Sequence, residues 1–210
     1  MLAKGAHRIC VAYEGMERFF PKDKIMLTGN PIRQGLLNHL TTREEAISTF
    51  GLDPNKRTVL ILGGSLGART INQCLMDNLD KIKSSDVQFI WQTGKIYIEE
   101  AKASVAKAGE LPMLHVTDFI SDMATAYRAA DLVISRAGAG SISEFCLLQK
   151  PVILVPSPNV AEDHQTKNAL ALVNKNAALY VKDIEAKDLL LDKAIEAVKQ
   201  PDLLKNLSKN

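Results

Sequence analysis

The residues best suited to chemistry form one short segment, Ala137-Gly138-Ala139-Gly140-Ser141-Ile142-Ser143-Glu144. It follows an apolar Leu-Val-Ile run, which is typical of a strand covered on both faces of a parallel sheet. Its two glycines allow the backbone to turn sharply and to approach a ligand closely. A helix is predicted to begin at Ser141, and the free N–H groups and positive dipole of a helix start favour an anion such as a diphosphate. Glu144, one turn into that helix, could then accept hydrogen bonds from a ribose diol.

The same segment also fits a purely structural motif. Ser141 and Glu144 match the capping box S-x-x-E, in which the serine accepts a hydrogen bond from a free N–H and the glutamate reaches back. Taken alone, the spacing favours this capping box over a ligand site. The remaining motifs of the chain shift the balance toward ligand binding.

A second glycine turn, Gly63-Gly64-Ser65-Leu66-Gly67-Ala68-Arg69, follows the apolar run at 59–62. A glycine turn that leads into a helix can cradle a phosphate. It lacks the Gly-Lys-Ser/Thr ending of a P-loop and does not match G-x-G-x-x-G, and no acid for a ribose follows the next strand at 92–94. A lone turn of this kind also indicates close packing of a helix on a strand.

Apolar residues follow the predicted strand at 113–117. Phe119, Ile120 and Met123 lie where that strand leads into a helix. Side chains at such junctions more often belong to the core than to a ligand site. If they face the cleft, they could pack on a planar base, whose polar edge would bond to backbone groups.

Arg33 follows a helix-start signal, since Asn30 can cap a helix and Pro31 suits its first position. The predicted helix runs through Leu40 and would present Arg33 from its first turn. A cation is locally unfavourable at the positive end of a helix. Arg33 is therefore either a solvated side chain or one held to meet a phosphate.

The loop after the apolar run at 152–155 contains Glu162, Asp163, His164 and Gln165. Asp163 can cap the following helix, and Gln165 offers an amide to a sugar hydroxyl, a contact that discriminates between sugars. Adjacent side chains rarely converge on one ion, and no partner His or Cys stands at helical spacing elsewhere. We therefore predict no metal site here, and the sequence indicates no cofactor.

These loops belong to a regular alternation of strands and helices. Strands are predicted at 58–63, 87–92, 113–117, 131–135, 152–155 and 178–181. Helices are predicted at 67–79, 96–108, 121–130, 142–149, 164–176 and 186–199. The pattern predicts an α/β fold with a Rossmann-like parallel sheet, helices on both faces and ligands at the carboxyl ends of its strands. Two short strands precede it, at 8–13 and 24–28, and these are too few for a stable sheet of their own.

Composition excludes several other classes. Of the 210 residues, 46% are hydrophobic and 24% charged, and a net charge of +2 without a Lys/Arg block argues against a nucleic-acid partner. No apolar run approaches the ~20 residues that span a membrane. Cys10, Cys74 and Cys146 share no metal or redox spacing, which indicates buried thiols in a reducing compartment.

The order of the motifs is more specific than any motif alone. Ala-Gly-Ala-Gly-Ser-x-x-Glu at 137–144, Lys-Pro-x-x-x-x-Pro at 150–156 and Asp-His-Gln-x-x-Asn-Ala at 163–169 resemble the donor-binding half of GT-B glycosyltransferases, most closely the MurG family. Further segments resemble motifs of that family in its own order, at 28–33, 63–69 and 92–95. The resemblance implies an inverting transferase that adds N-acetylglucosamine from UDP-GlcNAc to lipid I, an undecaprenyl-linked acceptor, and so forms lipid II in peptidoglycan synthesis.

The resemblance also implies a role for individual residues. Backbone groups would bind the uracil, and a carboxylate would bind the ribose. The two glycine turns and one arginine would bind the diphosphate. By part of the ligand, these are Ile120 and Met123 for uracil, Glu144 for ribose, Arg33, Gly64, Ser65, Ala139, Gly140, Ser141, Ile142 and Ser143 for the diphosphate, and His164 and Gln165 for the sugar. The helix start at Ser141 would then be both capped and functional.

Parts of the family pattern do not occur in this sequence. The loop that ends in the family's catalytic His and its His-Glu-Gln-Asn segment have no match, and none of the four histidines fits the base. We therefore expect residues 1–28 to end an acceptor domain, residues 29–210 to form the donor-binding domain without its final helix, and the chain to be inactive alone. The family acts at the cytoplasmic face of the bacterial inner membrane and attaches chiefly through the acceptor domain.

Two alternative functions remain open. The segment 137–141 also resembles the soluble half of split UDP-GlcNAc transferases, which need a separate membrane partner. The segment 28–33, joined to strands of a preceding domain, argues against such a subunit. A sugar-nucleotide epimerase of the same architecture would need carboxylates and histidines for proton transfer in its cleft, and the sequence lacks that set.

Overall fold

The computed structural model describes residues 2–12, 14–37, 41–64, 67–159 and 163–210. These residues form two compact units, one that ends at Arg33 and one that runs from Gln34 to Asn210. The elements of the first unit are α1 (Leu2–Gly5), β1 (Ile9–Val11), β2 (Ile25–Leu27) and 3-10 turns at Met16–Arg18 and Lys22–Lys24. The two predicted strands are present, shorter than expected, and they pair with each other in parallel.

The second unit alternates strands and helices as predicted. Its strands are β3 (Thr58–Leu62), β4 (Gln88–Gln92), β5 (Leu114–Thr117), β6 (Leu132–Ser135), β7 (Val152–Leu154) and β8 (Leu179–Tyr180). Its helices are α2 (Arg43–Thr49), α3 (Arg69–Asp77), α4 (Leu79–Ser84), α5 (Ile98–Ala108), α6 (Met123–Ala129), α7 (Ala139–Leu147), α8 (His164–Val173), α9 (Ala186–Val198) and α10 (Pro201–Lys209), with 3-10 turns at Gln34–Leu36 and Asp183–Glu185. No helix in the described part of the chain is both long and apolar enough to cross a membrane.

The six strands form one parallel sheet in the order β5-β4-β3-β6-β7-β8. The chain moves outward from β3 to β5 and then returns to the other side of β3 with β6. Strand order therefore reverses between β3 and β6, whose register pairs Val59 with Leu132 and Leu62 with Ser135. In open sheets of this kind, ligands bind outside the carboxyl ends of the strands at such a switch point. The prediction of a Rossmann-like α/β fold is confirmed, and its two glycine turns follow the two strands that flank this point.

The four inner strands, β4, β3, β6 and β7, are buried on both faces, which explains their apolar character. Val59 and Ile61 of β3 lie in one core cluster with residues of α3 and α9, whereas the intervening Leu60, also fully buried, points to the opposite face. Trp91 of β4 is fully buried, and its indole N–H donates to Asn72 Oδ1 at 2.9 Å. Asn72 in turn donates to the carbonyl of Thr93 at 2.8 Å, so α3 is anchored to the end of β4.

Two regions differ from their helix predictions: one predicted helix is divided, and the other is absent from the described residues. The helix expected at 67–79 is divided at Asn78, whose side chain donates to the carbonyl of Cys74 at 2.8 Å and competes with the helix backbone. The helix expected to begin at Pro31 is absent, since residues 31–33 are irregular and are followed by a 3-10 turn. Gly35 lies within that turn, and a glycine weakens so short a helix. The rest of that prediction, at 38–40, lies outside the described residues.

The cysteine prediction holds for one residue of three. Cys74 is fully buried on α3, and burial raises the pKa of its thiol to about 11. Cys10 and Cys146 are exposed, which corrects the expectation of buried thiols. Cys146 lies on the outer side of α7, because its neighbour Phe145 takes the position that faces the core.

Candidate functional site

The candidate site begins at the start of α7, directly after β6. The helix begins at Ala139, with Gly138 as its N-cap, two residues before the predicted start at Ser141. Ser141 and Glu144 therefore both lie inside the helix, and the capping box predicted for them is wrong. Gly138 has no side chain, so no N-cap side chain bonds to the N–H groups of the first turn.

Space over this helix start is open. A Cβ atom added to Gly140 would meet no described heavy atom within 4 Å, and one added to Gly138 would meet only Ser141 Oγ, at 4.0 Å. The Ser143 hydroxyl donates to the carbonyl of Ala139 at 3.0 Å, and the side chain of Ile142 is buried. The backbone at Gly140 is thus exposed and accessible. Exposed backbone at a helix start suits an anion that approaches closely.

Glu144 projects from α7 one turn further on and is half-buried. Its Oε2 accepts a hydrogen bond from the hydroxyl of Tyr127 at 2.8 Å. Tyr127 belongs to α6 and is only 3% exposed. Sequence reasoning did not find this partner, because no spacing rule connects residues of two different helices.

Two side chains of α8 hold the peptide units around Ala137. Gln165 Oε1 accepts from the backbone N–H of Ala137 at 3.2 Å and from that of Ser157 at 2.9 Å. Asn168 Nδ2 donates to the carbonyl of Ala137 at 3.2 Å. The loops after β6 and β7 are thereby joined through α8. The amide oxygen of Gln165 is engaged, which leaves its Nε2 as the group for the predicted sugar contact.

His164 and Asp163 stand at the beginning of α8. His164 is exposed and is the first residue of the helix. Asp163 takes the N-cap position with φ 53° but makes no side-chain cap hydrogen bond, so the predicted capping role is wrong. A left-handed residue cannot place its side chain as an extended N-cap residue does. Glu162, weighed above as a metal ligand, lies outside the described residues.

Arg136 ties the loops of the site to the rest of the sheet. Its Nη1 donates to the carbonyls of Val155 at 3.1 Å and Pro156 at 3.2 Å, and it also pairs with Asp183. The other oxygen of Asp183 accepts from the Thr70 hydroxyl at 2.8 Å. This network joins the ends of β6 and β7 to the first turn of α3. Sequence analysis missed it, because Arg136 and Asp183 have no shared motif.

The glycine turn after β3 combines packing with an open position. A Cβ atom on Gly63 would lie 3.0 Å from the carbonyls of Gln92 and Thr93, and one on Gly67, at φ +92°, would lie 2.4 Å from the Tyr97 ring. These two glycines are needed for packing. Gly64 has φ +72°, and no heavy atom of the described residues lies within 4 Å of its added Cβ. Ser65, the predicted diphosphate contact, lies outside the described residues.

The predicted uracil contacts are buried. Ile120 is 6% and Met123 8% exposed. The N–H of Ile120 donates to Gln92 Oε1 at 3.0 Å, so its carbonyl is the backbone group left for a base. Phe119 is exposed, and together with Ile120 it lines a pocket of about 210 Å³ at the end of β5. Arg33 is an exposed residue at the end of the first unit.

The family follows from a match to residues 58–210, which correspond to the model of the glycosyltransferase family 28 C-terminal domain. The chain belongs to glycosyltransferase family 28. All the described loops of the candidate site within the second unit fall inside the residues that this family model matches.

Curated family 28 relatives match over the whole chain. The UDP-N-acetylglucosamine–N-acetylmuramyl-(pentapeptide) pyrophosphoryl-undecaprenol N-acetylglucosamine transferase of Phocaeicola vulgatus is 80% identical over 210 residues, which are 100% of this chain and 56% of that protein. The protein of the same name from Bacteroides fragilis is 67% identical, with 100% of this chain and 56% of that protein covered. This chain therefore spans about half the length of the curated relatives it matches.

A solved structure agrees with this family 28 assignment. The crystal structure of Acinetobacter baumannii MurG superimposes with a TM-score of 0.69 and 26% sequence identity, covering 99% of this chain and 56% of that chain. The resemblance to the C-terminal half of the MurG family, inferred from motif order, is confirmed.

Proposed function

We propose that this chain binds the UDP-GlcNAc donor of a transferase that adds N-acetylglucosamine to lipid I and forms lipid II. The observation that carries the proposal is the start of α7, which has a glycine N-cap, open space over Gly140 and the carboxylate of Glu144 one turn away. It stands at the switch point of a family 28 domain. The names of the relatives, which specify UDP-N-acetylglucosamine and an undecaprenol-linked acceptor, support the choice of substrates.

Each part of the donor has a proposed partner. The diphosphate would lie over the backbone N–H groups of α7, from Ala139 to Ser143, with Gly64 contributing from the turn after β3. Ser65 and Arg33 remain diphosphate contacts predicted from the family resemblance alone. Helix N-termini favour such a dianion through their free donors and dipole. Glu144 would accept from the ribose hydroxyls. The carbonyl of Ile120 would meet uracil, beside Met123, and Gln165 Nε2 with His164 would reach the sugar.

The transfer step needs more than donor binding. Inverting transfer requires a general base beside the acceptor hydroxyl. We place the acceptor site and this base in the part of the relatives that the chain does not match. Residues 1–28 would then follow that part directly, as the last segment of the acceptor domain. The chain is then expected to bind the donor without transferring its sugar. Because the proposed acceptor is a lipid, transfer would occur at a membrane, and the family resemblance implies its cytoplasmic face.

Calorimetric titration with UDP-GlcNAc tests the proposal directly. We expect saturable binding that is tighter than that of UDP-glucose and much tighter than that of ADP. The ADP control reports base selection, and the UDP-glucose control reports recognition of the N-acetylglucosamine. A sample that circular dichroism shows to be folded, but that binds none of the three, would contradict the proposal.

Replacing Glu144 by alanine should weaken UDP binding about ten- to a hundredfold. A hydrogen bond to a charged group contributes roughly 1.5–3 kcal/mol, and Glu144→Ala would remove the proposed bonds to ribose. Glu196→Ala, at an exposed position of α9, is the matched control and should leave the affinity unchanged. Equal UDP affinity in wild type and Glu144→Ala would remove Glu144 from the site.

A further inference from the structure

A buried tyrosine is bonded to the carboxylate proposed for ribose. Tyr127 is 3% exposed, and its hydroxyl donates to Glu144 Oε2 at 2.8 Å. A tyrosine hydroxyl that is withdrawn from water needs an acceptor inside the protein. The bond joins α6 to α7, on either side of β6 in the chain. It is therefore part of the packed structure and does not depend on a ligand.

The tyrosine is the rigid partner in this pair. Its ring meets the ring of Phe145 edge-on, with centroids 5.9 Å apart and planes at 89°. The helix that carries it is capped by Asp122, which accepts from the N–H and hydroxyl of Thr125 at 3.1 and 2.6 Å. Glu144, in contrast, has three side-chain torsions and is only half-buried. The hydrogen bond thus restricts the orientation of the flexible carboxylate.

A carboxylate can serve the tyrosine and a diol together. Its two oxygens can accept several hydrogen bonds at once. The bond from Tyr127 to Oε2 is therefore compatible with hydrogen bonds from two neighbouring hydroxyls. Orienting the carboxylate before the ligand arrives lowers the entropy that binding must pay.

We propose that Tyr127 is a positioning residue that sets the carboxylate of Glu144 for the two hydroxyls of a nucleotide ribose. This inference rests on the proposed function, because it assumes that Glu144 meets the ribose. It adds that the selectivity for a ribose diol depends on a residue that never touches the nucleotide.

The test compares UDP with 2′,3′-dideoxy-UDP, which lacks both hydroxyls. Tyr127→Phe keeps the ring beside Phe145 and removes only the donor. We expect it to weaken UDP binding about three- to tenfold, the value of one ordinary hydrogen bond, and to change dideoxy-UDP binding less than about twofold. Tyr180→Phe, on the edge strand β8, is the matched control and should change neither affinity.

A double variant distinguishes positioning from general support of the fold. If Tyr127 acts through Glu144, adding Tyr127→Phe to Glu144→Ala should cause no further loss of UDP affinity. A purely structural role would instead weaken UDP and dideoxy-UDP equally, with or without Glu144. Urea unfolding of each variant reports its stability separately.

The possible outcomes separately test UDP binding, the ribose contact of Glu144 and the role of Tyr127. Wild-type protein that does not bind UDP would overturn the proposed function, and the inference with it. A Glu144→Ala variant that still discriminates UDP from dideoxy-UDP would overturn the ribose contact. If Glu144→Ala loses that discrimination and Tyr127→Phe retains it in full, only the positioning role of Tyr127 is wrong.

Discussion

A single side-chain oxygen of Gln165 joins two loops. Its Oε1 accepts from the backbone of Ala137 and of Ser157, one residue from each of the loops that follow β6 and β7. The sequence suggested a sugar contact for this side chain, and that contact remains a prediction for its Nε2. One amide can meet both demands, because it has a carbonyl acceptor and two N–H donors.

Removing this amide should lower stability. Gln165→Leu would leave the backbone N–H groups of the buried Ala137 and the half-buried Ser157 without this acceptor. We expect the free energy of unfolding to fall by about 1–3 kcal/mol. Urea denaturation followed by circular dichroism measures the change. Gln73→Leu, which loses an exposed bond to Asp77 on α3, is the control and should cost at most about 0.5 kcal/mol. Equal losses in the two variants would contradict a structural role for Gln165.

The start of α7 determines what this element can bind. Gly138 ends the turn and Gly140 lies in the first turn, exposed and with open space around it. A glycine inside a helix costs stability relative to alanine. No neighbouring atom in the described structure requires a glycine at position 140, so packing does not explain this glycine. We expect it to allow a ligand to approach the backbone closely.

Gly140→Ala should separate stability from binding. We expect the free energy of unfolding to stay equal or to rise by up to about 1 kcal/mol, because alanine favours the helix. UDP affinity should fall about tenfold or more, since a methyl group forced into a filled contact costs on the order of 1–3 kcal/mol. Thermal melts and calorimetry measure the two effects. Unchanged UDP affinity would mean that no phosphate lies over this turn.

Gly67→Ala is the contrasting variant of the other glycine turn. Gly67 has φ +92°, and an added Cβ would lie 2.4 Å from the Tyr97 ring and 2.7 Å from the carbonyl of Thr93. This variant should therefore lose stability, whereas Gly140→Ala should not. The comparison identifies which glycines serve packing and which serve the ligand.

The carboxyl and amino ends of the sheet have different roles in the second unit. The carboxyl ends of β3 and β6 lead into the open glycine turns, whereas the amino ends are joined by Asp131. Its carboxylate accepts from Arg43 Nη2 at 2.7 Å, from Arg57 Nη1 at 3.0 Å and from the backbone N–H of Thr58 at 2.8 Å. Its side chain is 10% exposed. A charge cluster so far along the strands from the switch point should support the fold and not the ligand.

Asp131→Ala should weaken the fold and leave binding intact. It would remove the carboxylate that accepts from two arginines and a backbone N–H, although Arg43 keeps its bonds to the carbonyls of Pro54 and Lys56. We expect the free energy of unfolding to fall by about 2–3 kcal/mol. UDP affinity of the folded protein at 25 °C should stay within about twofold of wild type. Urea titration and calorimetry on the same sample measure both. A large loss of affinity at full folding would show that the two ends of the sheet are coupled.

Sequence alone determined the sheet and the family. Apolar runs and glycine turns report local backbone structure, so they located the strands and placed the loops of Gly64, Gly140 and Gln165 at carboxyl ends. The motif at 137–144 and its order relative to 150–156 identified the family. These signals are local, and each depends only on residues near one another in the chain.

Only the tertiary structure decided how the site is held. It moved the start of α7 to Ala139 and gave Glu144 a tyrosine partner instead of a capping role. Tyr127 and Glu144 are 17 residues apart, Ala137 and Gln165 28, and Arg136 and Asp183 47. Hydrogen bonds over such separations depend on how helices pack across the sheet, and no periodicity in the sequence encodes that packing.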